Sequence, residues 1–108
     1  MQINITQRHC DVPDSVLERA ESEVARLERF ESRIGKAELI FSEERHERFA
    51  EAIVSVAGRE PVVAKGNGSD FRAALDGLIA RLSKILRRQR DRLVDHRGPS
   101  PEDQQETG

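Results

Sequence analysis

The chain has 108 residues, of which 36% are hydrophobic and 35% charged, and its net charge is −2 at neutral pH. This length suits one domain with a small core under a heavily ionised surface. Cys10 is the single cysteine, which excludes an internal disulfide, and no apolar run approaches the ~20 residues that span a bilayer. Because the N-terminus also lacks the apolar segment of a signal peptide, we expect a cytoplasmic protein without membrane contact.

The net charge conceals an uneven distribution along the chain. Residues 1–68 carry a net charge of −3, residues 69–98 a charge of +4, and residues 99–108 a charge of −3. Local charge matters more than the total for docking on a phosphate surface. The chain is therefore compatible with a polyanionic partner for one of its segments.

The first elements are predicted to be a strand and a helix. Residues 2–6 alternate polar and apolar side chains, which indicates a short strand. Pro13 suits the first turn of a helix, and acidic residues follow it near the positive end of the helix dipole. Apolar residues then recur at helical spacing, which predicts a helix over residues 13–31 that buries Leu17, Ala20, Val24 and Leu27.

Three short strands are predicted next, over residues 36–42, 49–57 and 61–65, because apolar and polar residues alternate there. The charged stretch 43–48 between the first two strands is predicted to be an exposed hairpin turn. Pro61 cannot donate to a strand ladder, so it belongs at a strand start or edge. Residues 66–70, GNGSD, are predicted to be a loop in which Ser69 or Asp70 caps the following helix.

Residues 69–97 are predicted to form a long helix with one apolar face. The apolar residues fall within roughly 120° of arc at 100° per residue, and they are Leu75, Leu78, Ile79, Leu82, Ile85, Leu86 and Leu93. A second stripe about 80° wide lies on the opposite side by the same count. It contains Arg81, Lys84, Arg88 and Arg92, with Arg87 and Arg90 beside it.

The predicted order is therefore β-α-β-β-β-α, which is typical of the α+β class. Three consecutive strands would form an antiparallel meander with the first strand beside it, and both helices would pack on one face of this four-stranded sheet. Residues 1–97 would form one domain. Residues 98–108 contain two prolines and three acids but no apolar residue, so they are predicted to be a disordered acidic tail.

Several residues that could support catalysis or metal binding lack the necessary arrangement. The three histidines and Cys10 do not have ligand spacing, and nothing specifies a base that would activate the thiol. Glu43 and Glu44 lie on a solvated turn, which disfavours acid–base catalysis. The GNGSD stretch lacks the lysine and glycine spacing of a phosphate loop, which favours a plain turn and helix cap. We therefore expect no enzyme, no metal and no cofactor.

The basic stripe of the long helix favours polyanion binding over a merely solvated cationic face. From Arg81 to Arg92 six cations accompany one acid, so intrahelical pairing cannot neutralise them. Five of the six are arginines, whose planar guanidinium suits phosphate. Membrane docking is disfavoured because the apolar face holds no aromatic anchor. Single-strand recognition is disfavoured because the strands lack paired aromatics for base stacking.

Several stretches have the pattern of a known family. They are the opening MQINIT, LERF at residues 27–30 followed by Arg33 and Ile34, and above all DFRAALDGLI at residues 70–79. The pattern continues through RLxKxL at residues 81–86 and RDRL at residues 90–93. On these stretches the chain resembles the bacterial ribosome hibernation-promoting factor family, also called ribosome-associated inhibitor or protein Y. The likeness covers residues 1–97 without an obvious gap.

The resemblance implies a fold similar to double-stranded RNA-binding domains and a place on the small ribosomal subunit, in the path of mRNA and tRNA. Such a protein would silence translation in stationary phase or stress. Basic residues on both helices would contact the ribosomal RNA (rRNA). By position they are Arg26, Arg29, Arg81, Lys84, Arg87, Arg88, Arg90 and Arg92.

Two positions depart from the family pattern. Arg72 stands where relatives usually have tyrosine, and Glu23 stands where they tend to have lysine, which puts binding by the first helix in question. The chain resembles the short family members, which lack a C-terminal dimerisation domain, so we expect a monomer in solution. Some short members pair inactive ribosomes with help from a second small factor and others hold single ribosomes. The short tail slightly favours the pairing type.

Two alternatives remain open at this point. Relatives were long regarded as modulators of an alternative sigma factor, so the chain could be a protein-binding regulator of transcription. A free double-stranded RNA binder is the other alternative.

Overall fold

The computed structural model describes the backbone of residues 1–95 and the side chains of residues 1–91. The predicted β-α-β-β-β-α order and α+β class are confirmed. A 3-10 turn, Leu27–Arg29, follows the first helix. The elements are β1 Gln2–Arg8, α1 Asp14–Arg26, β2 Ile34–Glu44, β3 Glu47–Val56, β4 Val62–Gly68 and α2 Phe71–Asp95. The predicted acidic tail, residues 98–108, lies outside the described residues.

The four strands form one mixed sheet in the order β1-β2-β3-β4. β1 pairs parallel to β2, and the other pairs are antiparallel. A parallel neighbour requires a crossover, which α1 supplies between β1 and β2. Inward side chains of the sheet join one core with residues of both helices, so both helices lie on the same face, as predicted. The other face of the sheet is left uncovered by the described part of the chain.

Helix α2 provides the largest apolar contribution to the core. Leu75, Leu78, Leu82 and Leu86 are each at most 1% exposed. They pack against β3 and β4, and burying each such side chain stabilises the fold by about 1.5–3 kcal/mol. At the start of α2, the Phe71 ring meets the Phe41 ring edge to face, with 5.9 Å between centroids. No helix within residues 1–95 is long and apolar enough to cross a membrane.

The loop predicted over residues 66–70 is wrong for its first three residues, which belong to β4. The glycine at position 66 serves close packing and not a turn. A side chain built at Gly66 would collide with the backbone oxygen of Ala74 and the backbone nitrogen of Leu78. Glycine at this position therefore lets α2 approach the sheet closely. The predicted cap is confirmed for Asp70, whose Oδ1 accepts a hydrogen bond of 2.8 Å from the backbone nitrogen of Ala73.

Helix α1 is shorter than the predicted 13–31. Its α-helical part ends at Arg26, and the chain tightens into the 3-10 turn before it leaves for β2. The predicted buried face is also shifted at its start, because Val16 is buried whereas Leu17 is only half-buried. The hairpin turn between β2 and β3 is narrower than the predicted 43–48, since both strands extend to flank Arg45 and His46.

We predict that Gly66→Ala destabilises the protein by about 1–3 kcal/mol, because the added methyl group must push α2 away from β4. Urea unfolding followed by far-UV circular dichroism measures this change in the free energy of unfolding.

Gly77→Ala is the matched control, since a methyl group at Gly77 meets nothing within 4 Å. That variant should be as stable as the wild type or more stable by about 0.5–1 kcal/mol, because alanine favours a helix more than glycine does. Equal stability of the Gly66→Ala variant and the wild type would contradict the close approach.

Candidate nucleic-acid interface

Three cations lie along the side of α2 that faces away from α1. Arg81, Lys84 and Arg88 are exposed, and at 100° per residue they span about 60° of arc. None of them forms an ion pair with another described residue. We call these three residues the outer basic flank. Their positive charge is available to a partner.

Three further arginines gather where the end of α1 meets α2. The guanidinium carbon of Arg87 lies 5.0 Å from the ring centroid of Phe30. Arg29 and Arg90 line a hollow of about 340 Å³ beside Phe30. Arg33 and the acids Glu28 and Glu31 line it as well. We call Arg29, Arg87 and Arg90 the inner arginine cluster. All three are exposed, and within the described part of the chain none of them pairs with a carboxylate.

The two remaining predicted site residues have a different status. The Nη1 atom of Arg26 lies 3.2 Å from Oε2 of Glu23, one turn earlier on α1. Glu23 therefore offsets the charge of Arg26, as its departure from the family pattern suggested. The side chain of Arg92 lies outside the described residues.

The other departure from the family pattern, Arg72, lies exposed at the start of α2. Its Nε atom lies 3.8 Å from Oδ2 of Asp76. Arg19 on α1 approaches the same carboxylate, with 3.1 Å between Nε and Oδ1. These three residues thus form a local ion-pair group at the opposite end of α2 from the inner arginine cluster.

A buried carboxylate, Glu31, lines the same hollow as Arg29 and Arg90. Glu31 is 6% exposed, and its Oε2 accepts hydrogen bonds from the backbone nitrogen of Arg33 at 2.9 Å and from its Nε at 3.1 Å. The hydrogen bond from the Arg33 side chain is the main cause that lowers the pKa of Glu31 below its ordinary 4.5, against the opposing effect of burial. Arg59 lies on the other side, with its Nη2 3.7 Å from Oε1 of Glu31.

The residues considered for catalysis or metal binding do not assemble into such a site. The Cys10 thiol donates to the carbonyl oxygen of Phe41 at 3.5 Å, and burial followed by the charge of Glu43 raises its pKa. A raised pKa keeps the thiol protonated, which is unfavourable for a nucleophile. Glu43 faces Arg48, with 3.7 Å between oxygen and Nε. Within the described residues no group of three potential ligands could hold a metal ion.

Sequence reasoning missed Phe30, Glu31, Arg33 and Arg59 as neighbours of the site. Phe30 and Arg33 stood in the stretch that resembled the family, but periodicity gave them no partner. Arg59 lies 30 residues before Gln89, to which it donates a hydrogen bond, so no local pattern could reveal the contact.

Together these features define a small α+β protein whose second helix presents cations that form no ion pair among the described residues and are suited to a nucleic acid backbone. Comparison with known proteins identifies the family. Residues 3–94 match the family described as "Sigma 54 modulation protein / S30EA ribosomal protein". The chain belongs to this family.

Named relatives cover almost the whole chain. It is 32% identical over 96 residues to the ribosome hibernation promoting factor of Salmonella typhimurium, covering 89% of this chain and 100% of the relative. It is 33% identical over 104 residues to the protein of the same name from Azotobacter vinelandii, covering 95% of this chain and 96% of the relative.

Solved structures have the same fold. A ribosomal subunit interface protein from Coxiella burnetii superimposes with a TM-score of 0.78 at 21% identity, covering 84% of this chain and 99% of that one. The N-terminal domain of Thermus thermophilus protein Y superimposes with a TM-score of 0.71 at 26% identity, covering 82% and 98%.

We predict that Glu31→Gln destabilises the protein at pH 7 by about 1–3 kcal/mol, because the hydrogen bonds to a buried charged acceptor are weakened. The folded-state pKa of Glu31 is lowered, so its stabilising effect is present above 4.5 and is lost as the pH falls through the lowered pKa. The difference in the free energy of unfolding between the variant and the wild type should therefore become smaller as the pH is lowered. Urea unfolding across the pH range measures it.

Glu21→Gln is the control, since Glu21 is exposed on α1 and pairs with no described cation. It should follow the wild type at every pH. A Glu31→Gln gap that stays constant with pH would show that the ionised carboxylate is not the stabilising group.

Proposed function

We propose that this protein is a ribosome-associated translation inhibitor that binds the small subunit in the path of mRNA and tRNA. It would promote hibernation of inactive ribosomes in the cytoplasm under stress or in stationary phase. The single observation that carries the proposal is the outer basic flank of α2, whose cations pair with no described acid, in a chain from this family. Relatives named ribosome hibernation promoting factor support the same conclusion.

The proposed mechanism is steric and needs no catalysis. Guanidinium and ammonium groups of the outer basic flank contact rRNA phosphates, which releases condensed counterions and drives binding. The inner arginine cluster adds contacts from the α1 side, with arginines able to grip a phosphate with two parallel hydrogen bonds. The bound domain then occupies the space that mRNA and tRNA would use. We include Arg92 on its sequence spacing alone, and Arg26 contributes least because Glu23 offsets it.

The proposed partners are the small subunit and its rRNA. We propose that the protein acts as a monomer and that a second small hibernation factor acts on the same ribosome. The family description also names sigma 54 modulation, but the matching relatives are named for hibernation, so the transcription-regulator alternative is not favoured.

We predict that Arg81→Glu combined with Arg88→Glu weakens binding to small subunits on the order of 100-fold, since two phosphate contacts at about 1.5 kcal/mol each are lost. Both side chains are exposed, so the fold should persist. Co-sedimentation with purified subunits through sucrose measures binding, and circular dichroism verifies folding.

Lys36→Glu combined with Lys65→Glu is the charge-matched control. Both lysines alternate with inward-facing residues of β2 and β4 and so lie on the open face of the sheet. This variant has the same net charge as the Arg81/Arg88 variant but should bind like the wild type. Equal loss in both variants would mean that total charge, and not the α2 surface, decides binding.

We also predict a steep salt dependence of the dissociation constant for small subunits. Three phosphate contacts by the outer basic flank would give a slope of about −2.7 in log affinity against log salt, and six contacts about −5. Arg88→Gln should reduce the slope by about one. A slope near zero would exclude phosphate binding.

The same assay distinguishes the alternatives. Wild-type protein that binds a plain RNA duplex as tightly as the small subunit would be a general double-stranded RNA binder. Retention of RNA polymerase in place of ribosomes would favour the transcription regulator.

A further inference from the structure

The side chains that follow Leu86 on α2, over the described residues 87–91, are not buried in the core. Leu86 is the last side chain of α2 that is buried among the described residues, whereas the helix continues to Asp95. Two of the three members of the inner arginine cluster, Arg87 and Arg90, lie in this extension. Because the described side chains from Arg87 to Asp91 add nothing to the buried core, the position of this segment depends on other contacts.

Arg59 provides such a contact from the turn between β3 and β4. Its Nη1 donates a hydrogen bond of 3.1 Å to Oε1 of Gln89, and its Nη2 lies 3.7 Å from Oε1 of Glu31. Only 17% of the Arg59 side chain is exposed. The guanidinium therefore joins the segment after the 3-10 turn to the extension of α2.

The backbone around Arg59 is fixed on the sheet side. The backbone nitrogen of Arg59 donates to the carbonyl oxygen of Val56 at 3.1 Å, and that of Ala57 donates to the carbonyl oxygen of Arg33 at 3.0 Å. Gly58 between them has a φ of +78°, a conformation that favours glycine. The turn is thus tied both to β3 and to the segment that begins β2.

The Nη2 atom of Arg59 adds an argument against a purely stabilising role. It is buried and makes no hydrogen bond among the described residues, although it faces the Glu31 carboxylate. An unsatisfied donor on a buried atom is unfavourable, so this contact contributes less to stability than a fully hydrogen-bonded ion pair would.

We infer that Arg59 is a positioning residue for the rRNA-binding surface. It holds Gln89, and through Gln89 the extension of α2, so that Arg87 and Arg90 stay beside Arg29 before binding. Ordering a free arginine on binding costs conformational entropy, so two arginines held in advance improve affinity about tenfold. This inference rests on the proposed function.

Gln89→Leu tests the inference with little disturbance of the helix, since leucine and glutamine have similar helix propensities. The dissociation constant for purified small subunits should rise about tenfold, while the midpoint of urea unfolding stays near that of the wild type. Arg59→Met should raise the dissociation constant by a similar factor. Amide hydrogen exchange of residues 87–91 in the free protein should become faster in both variants.

A double-mutant cycle separates positioning from direct contact. In a background of Arg87→Gln with Arg90→Gln, adding Gln89→Leu should leave the dissociation constant unchanged, because the residues through which Gln89 acts are already neutral. A tenfold loss that persists in this background would mean that Gln89 contacts the subunit itself, which would overturn the inference. So would a Gln89→Leu variant with the affinity and hydrogen exchange of the wild type.

Arg19→Met is the matched control, since Arg19 also reaches α2, at Asp76, but far from the inner arginine cluster. It should bind like the wild type, and an equal loss in this control would overturn the specific role of Arg59. Failure of the wild type itself to bind small subunits would instead refute the proposed function, so the two failures are distinguishable.

Discussion

The packing of α2 against β3 and β4 is the constraint on which the rest of the molecule depends. The leucine face of α2 can settle on the sheet because Gly66 leaves room for its backbone. Once that face is buried, the helical repeat of 3.6 residues determines where every other side chain of α2 lies. Arg81, Lys84 and Arg88 must then face solvent. The same contact therefore creates the core and displays the outer basic flank.

The distribution of acids explains how a protein of net charge −2 can offer a cationic surface. Among the described residues, Glu23, Asp76 and Glu38 each face a nearby cation on α1, at the start of α2 or on β2. Glu31, before β2, pairs with Arg33 and Arg59. Between Arg81 and Arg90 no acid occurs in the sequence. This part of α2 therefore carries five cations without an acid between them. Under the proposed function, the concentration of positive charge would attract a polyanion to this side and orient the protein as it binds.

The fold was predictable from the sequence wherever a helix or strand has one apolar face, because that face determines which side of the element is buried. Element order, the core leucines of α2 and the exposure of its cations all follow from periodicity, and periodicity is local. The prediction was wrong where tertiary contact overrides local preference. Gly66 to Gly68 have the composition of a turn but continue β4, because close approach of a helix favours glycine as much as a turn does. Helix α1 ends at Arg26, earlier than predicted, although no glycine or proline at that point signals a helix end.

In the candidate site, too, the features set by local periodicity were predictable and those set by tertiary contacts were not. The outer basic flank was predictable, because its members share one helix and one stripe. The residues of the inner arginine cluster were predicted from the sequence, but their proximity was not. That proximity depends on a contact between Phe30, after the 3-10 turn, and Arg87 on α2. Arg59 had no local signal, since its partners lie about 30 residues away on either side.

A charged link between the sheet and the end of α2 also suits the rRNA-binding surface that we propose. An apolar contact there would require a larger hydrophobic core. A chain of 108 residues, of which 36% are hydrophobic, has too few apolar residues to form one. A guanidinium can lie half in the core, contact two elements at once and leave the positive charge of the region intact. Glu31 offsets part of that charge, but it lies beneath the surface and is already engaged by Arg33. Under the proposed function, the inner arginine cluster therefore keeps its charge for the rRNA, while Arg59 keeps the end of α2 in place.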